Sequence, residues 1–231
     1  MTGPKRRYTD QGYESELKEI RERLLLMAGR VEGIILRAVD AYVRRNFEEA
    51  RGIVELDRDI NRDEVELDAL CLQLLACRQP MASDLRFVTL TMKMVTDLER
   101  IGDLSVNICE RTVDLADTDL RVANDSISLM GRKVQSMLHD AIDAFVQRDT
   151  SLARAVIDRD DAVDDLYDEV FAQILDLMRT QQAGIHRGIH IQSVAKYLER
   201  MADHSTNIAE QVIFMLKGQD VRHEGKLQQD G

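Results

Sequence analysis

Apolar residues return every three or four positions along nearly all of this chain, and strand-like alternation is almost absent. That period turns one face of a helix inward, so the pattern predicts long amphipathic helices. The first is predicted over Glu14 to Arg45, with Leu17, Ile20, Leu24, Met27, Val31, Ile34 and Ala38 on one face and a break at Asn46. The second covers about 48–77 and ends before Pro80, because the residue preceding a proline is driven out of the helical region. Ser83 is the expected N-cap of the third, which carries Phe87, Leu90, Met94, Leu98 and Ile101 as far as Asp114. Three more follow over about 122–147, 151–180 and 185–217, the last stopped by Gly218.

The second trio repeats the first. Tyr42-Val43 matches Phe145-Val146, and Ala50-Arg51 matches Ala153-Arg154, an offset of 103; by Leu98 and Leu198 the offset is 100. Three residues are therefore missing from the second copy, and the connection that holds Pro80 in the first is the simplest place for the gap. The expected fold class is all-α: two tandem three-helix bundles, six long antiparallel helices related by internal duplication. The expected boundaries are a disordered tail over 1–13, a first bundle over 14–118, a second over 119–218 and a disordered tail over 219–231.

Composition narrows the function. A net charge of −11 argues against a nucleic-acid surface, which needs clustered Lys and Arg. Cys71, Cys77 and Cys109 form no CxxC and read as small buried hydrophobes. No apolar run approaches the ~20 residues of a membrane span, and the N-terminus lacks a signal core, so a soluble cytoplasmic protein is expected.

The candidate chemistry lies in two acidic rows. Glu99 and Asp103 stand i,i+4 on the third helix, and Glu199 and Asp203 stand at the same places on the sixth. One such pair means little: 42 acidic residues in 231 positions give about seven or eight i,i+4 acidic pairs by chance. Here the pairs are equivalent between copies and flanked by apolar residues (Leu98, Ile101 and Ile108; Leu198, Met201 and Ile208). Neighbouring helices add Asp57, Asn61, Glu64 and Asp68 in one copy, and Asp160, Asp164 and Asp168 in the other. Oxygen donors drawn from two adjacent helices suit Mg, Mn or Fe, and Ca less specifically. The copies differ, since Tyr167 and Phe171 stand where Glu64 and Asp68 would be.

The run Arg78-Gln79-Pro80-Met81-Ala82-Ser83-Asp84-Leu85-Arg86, with Leu98-Glu99-Arg100-Ile101-Gly102-Asp103, resembles the PhoU family of phosphate-uptake regulators. Leu198 to Glu210 resembles that family's second repeat, and the resemblance covers about Glu14 to Gly218. It implies two three-helix bundles, a homodimer, and Fe, Mn, Zn or Mg ions, in some members as multinuclear clusters on the Glu-x-x-x-Asp motifs. Both motifs are intact. It further implies negative regulation of phosphate uptake and of the phosphate-starvation response, through a phosphate ABC transporter and its phosphate-sensing histidine kinase. Any membrane association would then run through those partners. The expected metal ligands are Glu99, Asp103, Glu199, Asp203, Asp57, Asn61, Asp160 and Asp164.

The alternative from the residues alone is a metal-free helical adaptor whose acidic rows bind basic partner segments. His186 and His190, i,i+4, have a spacing that can bind a transition metal, although a solvent-facing or capping role is the simpler reading. His204 is read as a group behind the acidic row or an interhelical hydrogen-bonder. No enzyme is expected: there is no phosphate loop, nucleophile elbow or HExxH, and no histidine follows a Glu by three as a di-iron bundle requires.

Overall fold

The protein is described here by a computed structural model covering residues 5–115, 122–180 and 184–218, with side chains from residue 11 onward. Its helices are α1 (Lys5–Arg44), α2 (Phe47–Arg78), α3 (Ser83–Asp114), α4 (Asn124–Gln147), α5 (Thr150–Ile157), α6 (Asp161–Thr180) and α7 (Gly184–Lys217). Helices α1 to α3 pack together, α4 to α7 pack together, and the groups meet where α3 lies on α7 and α1 on α4. One continuous apolar core runs through both. Leu98 and Leu198 are both fully buried in it, each contributing roughly 1.5–3 kcal/mol.

The duplication shows in the burial pattern. Ala50, Ile53, Ile60, Leu67, Cys71 and Leu74 of α2 answer to Ala153, Val156, Val163, Val170, Ile174 and Leu177, all buried and all 103 apart. From Val88 and Gly188 onward the buried partners stand 100 apart: Met94 with Val194, Leu98 with Leu198, Ile108 with Ile208. The three-residue gap therefore falls between Leu74 and Val88, around the Pro80 connection as expected; its counterpart, residues 181–183, lies outside the described residues.

Four expectations need correction. Cys77, expected as a small buried hydrophobe, is exposed, whereas Cys71 and Cys109 are buried. Helix α1 begins at Lys5 rather than Glu14, so the N-terminal tail is helical from there. Ser83 is the first helical residue of α3, not its cap; Ala82 holds the cap position at φ 49, ψ −110 with no side-chain hydrogen bond. The rod expected over 151–180 is interrupted at Asp158–Asp160, so the six-rod plan is built from seven helical segments. The equivalent α2 stretch, Glu55-Leu56-Asp57-Arg58, is continuous helix, whereas the second copy has Asp158-Arg159-Asp160-Asp161. Asp favours turns over helix interiors, and Arg159 stands where α2 has the packed Leu56. It turns back to donate from Nε to the Ala155 carbonyl at 3.0 Å and from Nη2 to Asp140 of α4 at 2.7 Å. Residues 219–231, expected as a tail, lie outside the described residues. Gly218 closes α7 at φ 68, donating its N–H to the Phe214 carbonyl at 2.8 Å.

Close contacts fasten the two halves. Phe87 of α3 stacks on Phe145 of α4 with centroids 5.9 Å apart, and Arg86 Nε donates to the Met215 carbonyl at 3.1 Å. Gly131 of α4 meets Val39 of α1 so closely that an added Cβ would lie 2.8 Å from Val39 Cγ2.

Candidate functional site

The α2 row faces the α3 motif because both lie on the edges of stripes that bury Ile60, Leu67, Leu98 and Ile101. A carboxylate in that position is half in water and half against hydrocarbon, and burial penalises its charged form. Burial first, and then the neighbouring Asp103 charge, pushes Glu99 up to about 7. Asp57 is raised by burial and by Asp103 across the helix pair; Glu64 is raised by burial and by Asp68. Asn61 Nδ2 donates to Asp57 Oδ2 at 2.9 Å. Asp57 Oδ1 and Asp68 Oδ1 are buried with no hydrogen-bond partner among the described residues. Gly102 leaves the room: a Cβ there would stand 3.3 Å from Asp57 Oδ1.

The second row repeats this between α6 and α7, except that Asp160 lies in the bend before α6 and not on the helix expected to carry it. Burial, then Asp203 and Asp164, pushes Asp160 up to about 6. Asp164 and Asp203 are each raised by burial and then by Glu199. The eight expected residues thus form two groups of four: Asp57, Asn61, Glu99 and Asp103 between α2 and α3, and Asp160, Asp164, Glu199 and Asp203 between α6 and α7. Among the described residues, no three His, Cys, Asp or Glu side chains stand close enough together, as they are, to hold a metal ion.

Part of the negative charge is met from within the chain, which the sequence reading did not anticipate. Lys196 Nζ donates to Glu199 at 2.6 Å, and Arg100 lies 3.5 Å from Glu99 and 3.6 Å from Asp103. The spacing was visible, since Lys196 precedes Glu199 by three. Arg100 is 56% exposed and screened, so it compensates little. Beyond the second row, Tyr167 and Phe171 turn the place of Glu64 and Asp68 into an apolar groove of about 450 Å³ between α6 and α7.

The family model for the PhoU domain matches this chain twice, over residues 24–112 and 127–212. The chain belongs to the PhoU family. It is 36% identical over 219 residues to the phosphate-specific transport system accessory protein PhoU homolog of Pseudomonas aeruginosa, covering 94% of this chain and 90% of that one. It is 33% identical over 213 residues to the accessory protein PhoU of Escherichia coli, covering 92% and 88%. The crystal structure of PhoU from Pseudomonas aeruginosa superposes at a TM-score of 0.86 and 35% identity, over 90% of this chain and 100% of that one. The phosphate transport system regulatory protein PhoU from Streptococcus pneumoniae superposes at 0.84 and 31% identity, over 90% and 99%. The PhoU fold assignment thus rests on both halves, and the two matched segments each contain one Glu-x-x-x-Asp motif.

Proposed function

We propose that this chain is a non-enzymatic accessory regulator of phosphate transport that works by protein contact on the cytoplasmic side, with cations bound along its two acidic rows. Its partners in this reading are the phosphate ABC transporter and the histidine kinase of the phosphate response, and its effect is negative. The near-full-length kinship to named phosphate-transport accessory proteins supports the regulatory role. Asp57 Oδ1, buried without a hydrogen-bond partner among the described residues, and Glu99, raised to about 7 by burial and then Asp103, support the cation half, because a fixed counter-charge relieves both strains. Hard oxygen donors select Mg, Mn or Fe over softer ions. Asp57, Asn61, Glu99 and Asp103 would hold one group of ions and Asp160, Asp164, Glu199 and Asp203 the other. Their side chains would swing inward from the rotamers described, and each ion would tie two helices of a bundle together.

Deleting the gene and measuring phosphate uptake and phosphatase expression in high phosphate tests the role; unchanged repression would refute it. Elemental analysis of protein purified without chelator, beside an Asp103→Ala/Asp203→Ala variant, tests the ligands; equal metal content would sink them. One observation favours a metal-free adaptor instead. Lys196 already neutralises Glu199, so basic side chains can take the place of cations, and those of a partner could do the same. Partner binding that survives chelator and weakens with salt would support that reading.

A further inference from the structure

The start of α7 carries a second constellation, on the face turned toward the end of α3 and apart from both acidic rows. His186 and His190 stand one helical turn apart with their Nε2 atoms 3.4 Å from each other. Two imidazole nitrogens bound to one tetrahedral ion at about 2.0–2.1 Å are separated by about 3.3 Å. The pair is thus already set at the edge length of a zinc-type coordination tetrahedron. Histidines at i,i+4 on one helix face supply this same two-nitrogen edge in metalloprotease sites.

The surroundings favour the same use. The His190 ring is largely covered (13% exposed), and its other nitrogen, Nδ1, lies 3.7 Å from Asp114 Oδ2 at the end of α3. At that distance Nδ1 makes no hydrogen bond among the described residues, but a small closure on ion binding would let Asp114 accept from Nδ1–H and leave the Nε2 lone pair to the ion. Asp114 is itself anchored, accepting from Arg111 Nη1 at 3.1 Å. Burial first, then His186 and Arg111, hold His190 below the ordinary imidazole range, which favours the neutral ring that binds metal. His186 is exposed, so ions and the waters completing the shell have open access.

We propose that His186 and His190 form a two-histidine site for a divalent transition ion of the zinc class, with Asp114 as the positioning residue behind His190. Two water molecules complete the shell, and the ion ties the first two turns of α7 to each other. Imidazole donors set this site apart from the oxygen-only rows, which prefer harder ions.

The test is a titration of the whole chain with Zn²⁺ against a chromophoric chelator. It is run in the parent, His186→Ala, His190→Ala, Asp114→Asn, and a Glu99→Gln/Glu199→Gln control that disables the rows. Parent and control should share one Zn²⁺ equivalent that excess Mg²⁺ does not displace. Either histidine variant should lose it, and Asp114→Asn should bind it about 10–100-fold more weakly. His186 is exposed and Ala is a good helix former, so that variant keeps its fold. An unchanged Zn²⁺ affinity and stoichiometry in both histidine variants would overturn the site, and an unchanged affinity in Asp114→Asn would remove Asp114 from it.

Discussion

Asp97 of α3 and His204 of α7 are locked together across the seam between the two repeats. His204 Nδ1–H donates to Asp97 Oδ1 at 2.9 Å, and Gln211 Nε2 donates to Asp97 Oδ2 at 2.9 Å. Both carboxylate oxygens of a side chain only 13% exposed are thereby engaged. The equivalent positions in the other copies are Tyr197 and Leu104, so the seam carries this polar clasp at one of its two related places. Hydrogen bonds to a charged group contribute about 1.5–3 kcal/mol. Asp97→Ala should lower stability by about 2–3 kcal/mol, a fall in Tm of about 2–4 °C for each kcal/mol. Calorimetry reads it, and a Tm within experimental scatter of the parent would show the clasp to be idle.

Glu99 ties stability to pH. Its folded pKa of about 7 lies above its ordinary 4.5, so between those values the folded chain binds more protons than the unfolded one. Asp160, raised from 3.8 to about 6, acts in the same direction. Metal-free protein should therefore lose stability as pH rises from about 4 to 7 and level off above. Glu99→Gln removes one charged form, and it should flatten that slope and be more stable than the parent at pH 8. Denaturant unfolding across that pH range checks this; superimposable profiles for the two proteins would contradict it.

A carboxylate row that binds ions should also reverse this slope. Binding requires the deprotonated form and so releases protons. With Mn²⁺ in excess, the parent's stability should rise rather than fall between pH 5 and 7, while Asp103→Ala/Asp203→Ala keeps the metal-free profile. Thermal melts at matched ionic strength decide it.

Gly102 has Ala202 as its counterpart. In Gly102→Ala the added methyl comes to 3.3 Å from Asp57 Oδ1 and 3.4 Å from Ile60. The gain in helix propensity, about 0.8–1.0 kcal/mol, offsets that crowding, so stability should change little. Metal content should fall in the first repeat alone, read by elemental analysis in a background where Glu199→Gln silences the second.

Gly131 behaves differently because an added Cβ would come to 2.8 and 2.9 Å from the two methyls of buried Val39. Gly131→Ala should cost about 1–3 kcal/mol by overpacking against Val39, and Val39→Ala should recover part of that in the double variant. Failure of the second change to rescue the first would place the strain elsewhere.

The long helices were legible because a period of three to four sustained over thirty residues has one physical meaning, and Leu98 and Leu198 lie buried where that pattern put them. That the acidic residues of neighbouring helices face each other was legible for the same reason, since repeated spacing fixes a face, although Asp160 lies in the bend before α6. The break at Asp158–Asp160 was not, since Arg159 leaves the apolar pattern for a partner on α4, and apolar periodicity says nothing about that. The α1 start was missed because Lys5 to Gln11 has no apolar face to read. The pairing of Asp97 with His204 joins residues 107 apart, a distance over which only tertiary structure brings groups together.

The way the halves meet carries its own history. Helix α3 rests on α7, and α1 on α4; in each case an element touches its own counterpart. Such self-matching contact is the signature of a two-fold symmetric pair of identical subunits. The present chain is thus built as a covalent version of a dimer that a single ancestral repeat could have formed with its twin. Within one chain the two halves need not be identical, and one carries an aromatic groove where the other has Glu64 and Asp68.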